Sequence, residues 1–209
     1  MRTHRPTTSR DTISLADQPE LLRGCFDALE QHDPGLGRIM ATTAMTGLRS
    51  AEMEMLAVDA VDLVEGVIEP LCHSDFLKSS YRMDLVVLPI ARIPFPLIRS
   101  LVDEAIRMDR ATLVEPNTTI RRWRHVREIV GPGLIRPLAM REVFAATAME
   151  VCDDPMIVDH CLWRRSMRRL EASELFPSSN PRDLDFIFDG VADRLANIVL
   201  RPAFTTDPG

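Results

Sequence analysis

Apolar residues recur at helical spacing along most of this chain. Over residues 16–31, Leu21, Leu22, Cys25, Phe26 and Leu29 fall on one face, the 3.6-residue period of an amphipathic helix. Asp33-Pro34-Gly35 breaks that run. A second helix is expected over 36–45, closed by Gly47, which can take a left-handed C-cap. Residues 49–58, from Arg49-Ser50-Ala51-Glu52 through Met53, Met55 and Leu56, read as a third, short helix. The period then changes. Residues 61–69 and 83–89 read as strands, with Glu65-Gly66 as a tight turn and residues 73–82 as a hairpin loop. Helical spacing returns over 98–108, 120–130 and 141–151, the last two separated by Gly131-Pro132-Gly133. After Asp154-Pro155 a helix begins near Met156, and another is expected over 167–175. Residues 177–181 read as a linker. Residues 183–200 form a last amphipathic helix, with Leu184, Ile187, Phe188, Val191, Leu195 and Ile198 on one stripe.

The pattern predicts an α+β fold: a mainly helical single domain with a small antiparallel sheet inserted early. The domain is expected over 18–176, after a polar, flexible tail at 1–17 and before a linker and amphipathic helix at 177–209. A chain of 209 residues, 45% hydrophobic and 27% charged, has the composition of a globular protein that buries a core. The longest apolar run, 85–91, is broken by Pro89 and is far short of a membrane span. The N-terminus lacks the apolar stretch of a secretory signal. Cys25, Cys72, Cys152 and Cys161 show no paired spacing, so no disulfide framework or zinc site is expected. A reducing, cytoplasmic compartment follows.

Charge alters this picture in one place. The net charge is −6, yet residues 121–169 hold ten Arg against six acids. Arg121, Arg122, Arg124 and Arg127 crowd one segment; Arg164, Arg165, Arg168 and Arg169 crowd another. Two readings stand: a phosphate-binding surface, or solvated helix faces paired with nearby acids. A pI near 5.4 argues against indiscriminate nucleic-acid binding. Of the 25 basic residues, 24 are Arg; the one Lys is Lys78, and the one Tyr is Tyr81, three residues on.

Thr46-Gly47-Leu48-Arg49-Ser50-Ala51-Glu52, followed by Leu56 and Asp62-Leu63, resembles the signature that opens the catalytic domain of tyrosine recombinases and phage-type integrases. Three further pieces follow in order. Lys78-Ser79-Ser80-Tyr81-Arg82 resembles the family's lysine-bearing hairpin. Arg141-Glu142-Val143-Phe144-Ala145 resembles its second arginine with the Phe-Ala pair. Asp154-Pro155-Met156-Ile157-Val158 with Leu162 resembles the segment before its Gly-His motif. The resemblance covers roughly 18–175 and implies the family's catalytic-domain fold and a role in DNA integration and recombination.

It also implies roles for residues. Strand cleavage by a tyrosine builds negative charge on a pentacoordinate phosphorus, which two arginine forks stabilise. Arg49 and Arg141 stand at those two positions. A lysine on the hairpin protonates the leaving oxygen, and Lys78 lies within about two residues of it, though one alignment puts Phe76 there instead. The phosphotyrosine link stores the bond energy, so no cofactor or metal is required. Arg121, Arg122, Arg124 and Arg164 join Arg49 and Arg141 as the expected DNA phosphate ligands.

The departures bear on activity. The histidine expected before the second arginine is Leu138, the Gly-His pair is Trp163-Arg164, and the nucleophile position is Ser173. No tyrosine follows Tyr81. Ser173 has a shorter reach and no base beside it in the motif, so the covalent intermediate is not expected. Trp163 is a phosphate ligand through its indole N–H or a core residue. About 20 residues precede the catalytic-like domain, where the family carries a separate DNA-clamping domain; weaker DNA binding follows. Three functions remain on the sequence: an integrase-like DNA-binding protein without the covalent step, a protein–protein module that kept the fold and lost DNA, and a strand transferase with an unconventional nucleophile. Residues 183–200 either pack on the chain's own core or dock a second copy or a partner recombinase.

Overall fold

The computed structural model describes residues 18–69, 87–162 and 181–205. The expected tail at 1–17, the hairpin with Lys78 and Tyr81, residues 163–180 with Trp163, Arg164, Ser173 and the helix expected at 167–175, and Cys72 lie outside the described residues.

The described chain is mainly helical with a three-stranded antiparallel sheet, as the pattern predicts. In order come α1 (Pro19–His32), α2 (Pro34–Thr46), α3 (Ser50–Met55), a 3-10 turn (Val58–Ala60), β1 (Val61–Asp62), β2 (Val67–Ile68), β3 (Leu88–Pro89), α4 (Phe95–Arg107), α5 (Thr118–Val130), α6 (Pro137–Val151) and α7 (Pro155–Cys161). A second 3-10 turn (Pro181–Leu184) leads into α8 (Asp185–Val199) and α9 (Pro202–Thr205). The strand order is β1-β2-β3, with Val61 opposite Ile68 and Ile68 opposite Leu88. Gly66, at φ 65°, makes the β1–β2 turn possible, and Asp62 Oδ1 accepts from the amides of Val64 and Glu65 at 2.8 Å.

Proline sets several helix starts. Pro19, Pro34, Pro137 and Pro155 open α1, α2, α6 and α7, where a missing N–H costs nothing because the first-turn donors have no partner within the helix. Consequently α6 begins a turn earlier than the apolar pattern alone indicates.

α2 is the central helix. Every residue from Leu36 to Thr46 is buried, so it is enclosed on all sides rather than amphipathic. Its threonines are tolerated there because each hydroxyl donates one turn back: Thr42 to Arg38 O at 2.9 Å, Thr43 to Ile39 O at 3.0 Å and Thr46 to Thr42 O at 2.8 Å. The one charge in this stretch, Arg38, is also buried. Its Nε donates to Phe204 O at 3.0 Å, and its Nη1 to Glu104 at 3.2 Å. Glu104 in turn accepts from Arg110 at 2.9 Å.

α8 packs on α1, α2 and α6, burying Ile187, Phe188, Val191, Ala192, Leu195 and Val199 in the same core. Of the two alternatives for this stripe, packing on the chain's own core or docking a second copy or a partner, the described helices show the first. Phe186 is left exposed on α8. α9 follows it home: Phe204 is fully buried against α2, where Gly37 leaves room for its ring. Arg201 pairs with Asp27 at 2.6 Å, and Ala203 N donates to Glu30 at 3.2 Å. Residues 181–205 are thus part of the one core, not an appendage to it.

Candidate functional site

The site grows from one turn. α2 ends at Gly47, whose φ of 71° closes the helix in the left-handed region, with its N–H donating to Thr43 O. A Cβ at Gly47 would lie 2.7 Å from Phe144 and 2.9 Å from Leu162, so glycine is required by packing as well as by conformation. The reversal buries Leu48 and leaves Arg49 as the N-cap of α3. Glu52, at the third position of α3, reaches back and accepts from Arg49 N at 2.7 Å, the carboxylate half of a capping box.

Arg141 enters from α6. Its Nη1 donates to Glu52 Oε2 at 2.7 Å and to Gly47 O at 3.0 Å, and its Nη2 donates to Leu162 O. A single guanidinium thus joins the end of α2, the start of α3 and the residue after α7. Arg141 is only 3% exposed. Arg49 lies on the other side of the same carboxylate, its Nε 3.8 Å from Glu52 Oε1 and its side chain 52% exposed. The two arginines therefore do meet, but around Glu52. This corrects the expectation of two free phosphate ligands: Arg49 is accessible, whereas Arg141 is enclosed and ion-paired because three acceptors converge on it.

The second acid of α3, Glu54, faces α5. Its carboxylate accepts from Asn117 N at 3.0 Å and Thr119 N at 2.8 Å, capping the N-terminus of α5 from outside. That negative charge satisfies orphan donors and complements the helix dipole.

The α5 arginines divide by direction. Arg122 turns inward and donates from both Nε and Nη2 to Asp33, which also caps α2 through Leu36 N at 2.9 Å. Gly35 makes room for this fork; a Cβ there would overlap Arg122. Arg122 is therefore a structural ion pair, which corrects its place among the phosphate ligands. Arg121 and Arg124 are exposed, Arg121 with a long contact of 3.9 Å to Glu115. Arg127 is exposed above the Trp123 ring at 5.1 Å, while Trp123 donates its indole N–H to Ile135 O at 2.8 Å. Leu138, at the position where a histidine was expected, is exposed on α6.

Three thiols are buried. Burial pushes Cys25 up to about 11; burial, with Cys152 nearby, pushes Cys161 up to about 12. Both are neutral and unreactive at ordinary pH. Among the described residues no group of His, Cys, Asp and Glu is placed to hold a metal ion, and no helix is long and apolar enough to cross a membrane. A shallow groove of about 280 Å³ between α1 and the end of α5 is lined by Leu21, Gly24, Cys25, Ala28, Val130 and Leu134, and includes none of the arginines.

Sequence reading missed Arg38, the Arg122–Asp33 ion pair and the backbone amides held by Glu54. Arg38 had a usable signal, as the one charge in an otherwise uncharged apolar run. The other contacts had none, since Arg122 and Asp33 are 89 positions apart and Glu54 and Thr119 are 65 apart. No protein family, curated protein or solved structure matches the chain.

Proposed function

We propose that this chain is an integrase-like, DNA-phosphate-binding protein of recombination or integration that does not form a covalent phosphotyrosine intermediate. The observation that carries the reading is the meeting of Arg49 and Arg141 on one carboxylate. Both were singled out by the recombinase-like motifs, and Glu52 of the first motif holds Arg141 from 89 positions away. Of the expected phosphate ligands among the described residues, Arg49, Arg121 and Arg124 are exposed. The absence of a tyrosine after Tyr81, with Ser173 at the nucleophile position, supports the loss of strand transfer. Lys78 and Arg164 keep their proposed roles as leaving-group acid and phosphate ligand.

Phosphate contact makes binding strongly salt-dependent, with a logarithmic slope of roughly −0.9 per neutralised phosphate. The test is fluorescence anisotropy of a labelled duplex at stepped salt. Replacing Arg49, Arg121 and Arg124 together by Ala is expected to weaken binding and flatten the slope by roughly two to three units. Arg122→Ala is expected to leave the slope unchanged, because its fork is taken up by Asp33. Absence of duplex binding at low salt would remove the reading.

The second reading, a protein–protein module that kept the fold and lost DNA, is favoured by one observation: Arg141 is enclosed by protein acceptors. A net charge of −6 is in keeping with it. It predicts no duplex binding at any salt, and the same titration separates the two.

A further inference from the structure

We infer that Glu52 is a built-in competitor for the phosphate, so that duplex binding at this site requires its carboxylate to be displaced. The inference rests on the DNA-binding reading above and concerns how that same site is held closed. A carboxylate and the non-bridging oxygens of a phosphodiester present similar oxygen pairs to arginine. Glu52 uses them in that way, with Oε2 on Arg141 Nη1 at 2.7 Å and Oε1 facing Arg49 Nε at 3.8 Å. A phosphate approaching Arg49 meets this negative charge first, since the Glu52 side chain is 17% exposed and that of Arg141 only 4%. Two arginines and one glutamate leave a single net positive charge, whereas a neutral residue 52 leaves two.

The geometry also supplies a clean variant. Glu52 Oε2 holds both Arg49 N, at 2.7 Å, and Arg141 Nη1. In Glu52→Gln the amide oxygen takes that place and accepts both bonds. The amide NH₂ then stands where Oε1 faced Arg49, so the Arg49 guanidinium is released from its counter-ion while the cap of α3 is kept.

The experiment compares wild type, Arg49→Ala, Glu52→Gln and Glu52→Gln with Arg49→Ala against the labelled duplex at low salt. Urea denaturation checks that each is folded. Glu52→Gln is expected to bind roughly tenfold tighter, the worth of one charge-assisted hydrogen bond made to phosphate by the released Arg49 guanidinium. Adding Arg49→Ala is expected to abolish the gain. An Arg49-dependent wild-type titration with no gain in folded Glu52→Gln overturns this inference and leaves the DNA-binding reading standing. No duplex binding by any variant overturns both. Should Glu52→Gln fail to fold, the arginine Nε–H resonances of the wild-type protein decide. Displacement of Glu52 requires the Arg141 signal to shift together with that of Arg49 as duplex is added. A shift confined to Arg49 overturns the inference.

Discussion

Replacing Arg141 by Ala is the sharpest test of what that residue does. The guanidinium donates to Glu52 Oε2, Gly47 O and Leu162 O. Removing it leaves a largely enclosed carboxylate without its cation and two carbonyls without their donor. Breaking a buried ion pair by deleting one partner costs about 3–5 kcal/mol. Glu52 retains some solvent access, which places the pair near the lower end, and the stranded carbonyls add to it. A loss of about 3–4 kcal/mol is expected, a large fraction of the roughly 5–15 kcal/mol that holds a domain folded. Arg49→Ala provides the contrast. With its side chain half exposed and its counter-ion at 3.8 Å, it is expected to cost no more than about 0.5 kcal/mol. Urea denaturation followed by far-UV circular dichroism reads both. With a slope of roughly 2–3 kcal/mol per molar urea, the Arg141→Ala midpoint falls by more than about 1 M, and that of Arg49→Ala stays near wild type. A fall of less than about 0.3 M in Arg141→Ala would refute the reasoning. It would mean that the guanidinium is not carrying the junction of α2, α3 and α7, and that its place is set by something other than these bonds.

Two further outcomes follow from packing and titration. Gly37→Ala puts a Cβ 2.3 Å from the Phe204 ring; the ring must leave its pocket, at a cost of about 2–3 kcal/mol. Chymotrypsin is then expected to cut faster after Phe204, which is fully buried in the wild type, and equal cleavage rates would show that Phe204 does not anchor the C-terminal turn. Cys25 and Cys161 ionise only near 11 and 12 when folded, but near the ordinary 9 when unfolded. Their contribution is complete below about pH 9 and is lost as pH rises through their folded values, because the unfolded chain then binds fewer protons. With one Lys and one Tyr in the whole chain, few other groups compete in this window. The urea midpoint is expected to fall steeply above pH 9, and less so in the Cys25→Ala, Cys161→Ala variant. Parallel falls in the two proteins would count against the assignment.

What the sequence made legible follows from which interactions are local. Helix faces repeat every few residues, so α1, α5 and α8 could be read directly, and Gly47 marked the end of α2 because only a left-handed cap suits it. The apolar pattern set the start of α6 too late: the helix opens at Pro137, which moves Arg141 from a helix start into the second turn. The site was half legible. The family resemblance implied that Arg49 and Arg141 share a site, but not the acceptors that enclose Arg141. Those come from α2, from α3 and from Leu162, three separate places in the chain, and no local pattern announces them. Likewise Arg121, Arg122 and Arg124 look equivalent as a cluster of charges. A rotation of about 100° per residue turns Arg122 toward Asp33 and leaves the other two outside.

The position of Arg49 depends on charge more than on burial, and this ties folding to binding. α3 has six residues, of which Met53 alone is buried. The short helix is secured at its two acids, Glu52 to Arg141 and Glu54 to the amides that open α5. Helices of this length do not persist on their own propensity, so the two carboxylates are what fix the exposed guanidinium in space. Neutralising Glu54 frays α5 and shifts Arg121; neutralising Glu52 releases Arg49. Under the proposed DNA-binding reading, the charge offered to a phosphate therefore cannot be altered without altering the bonds that hold the site, unless the replacement keeps the acceptor and drops only the charge. Glutamine at position 52 does that, whereas alanine at 52 or 141 removes both together. Loss of binding in either alanine variant is then expected from misplacement of Arg49 alone, whichever group touches the DNA.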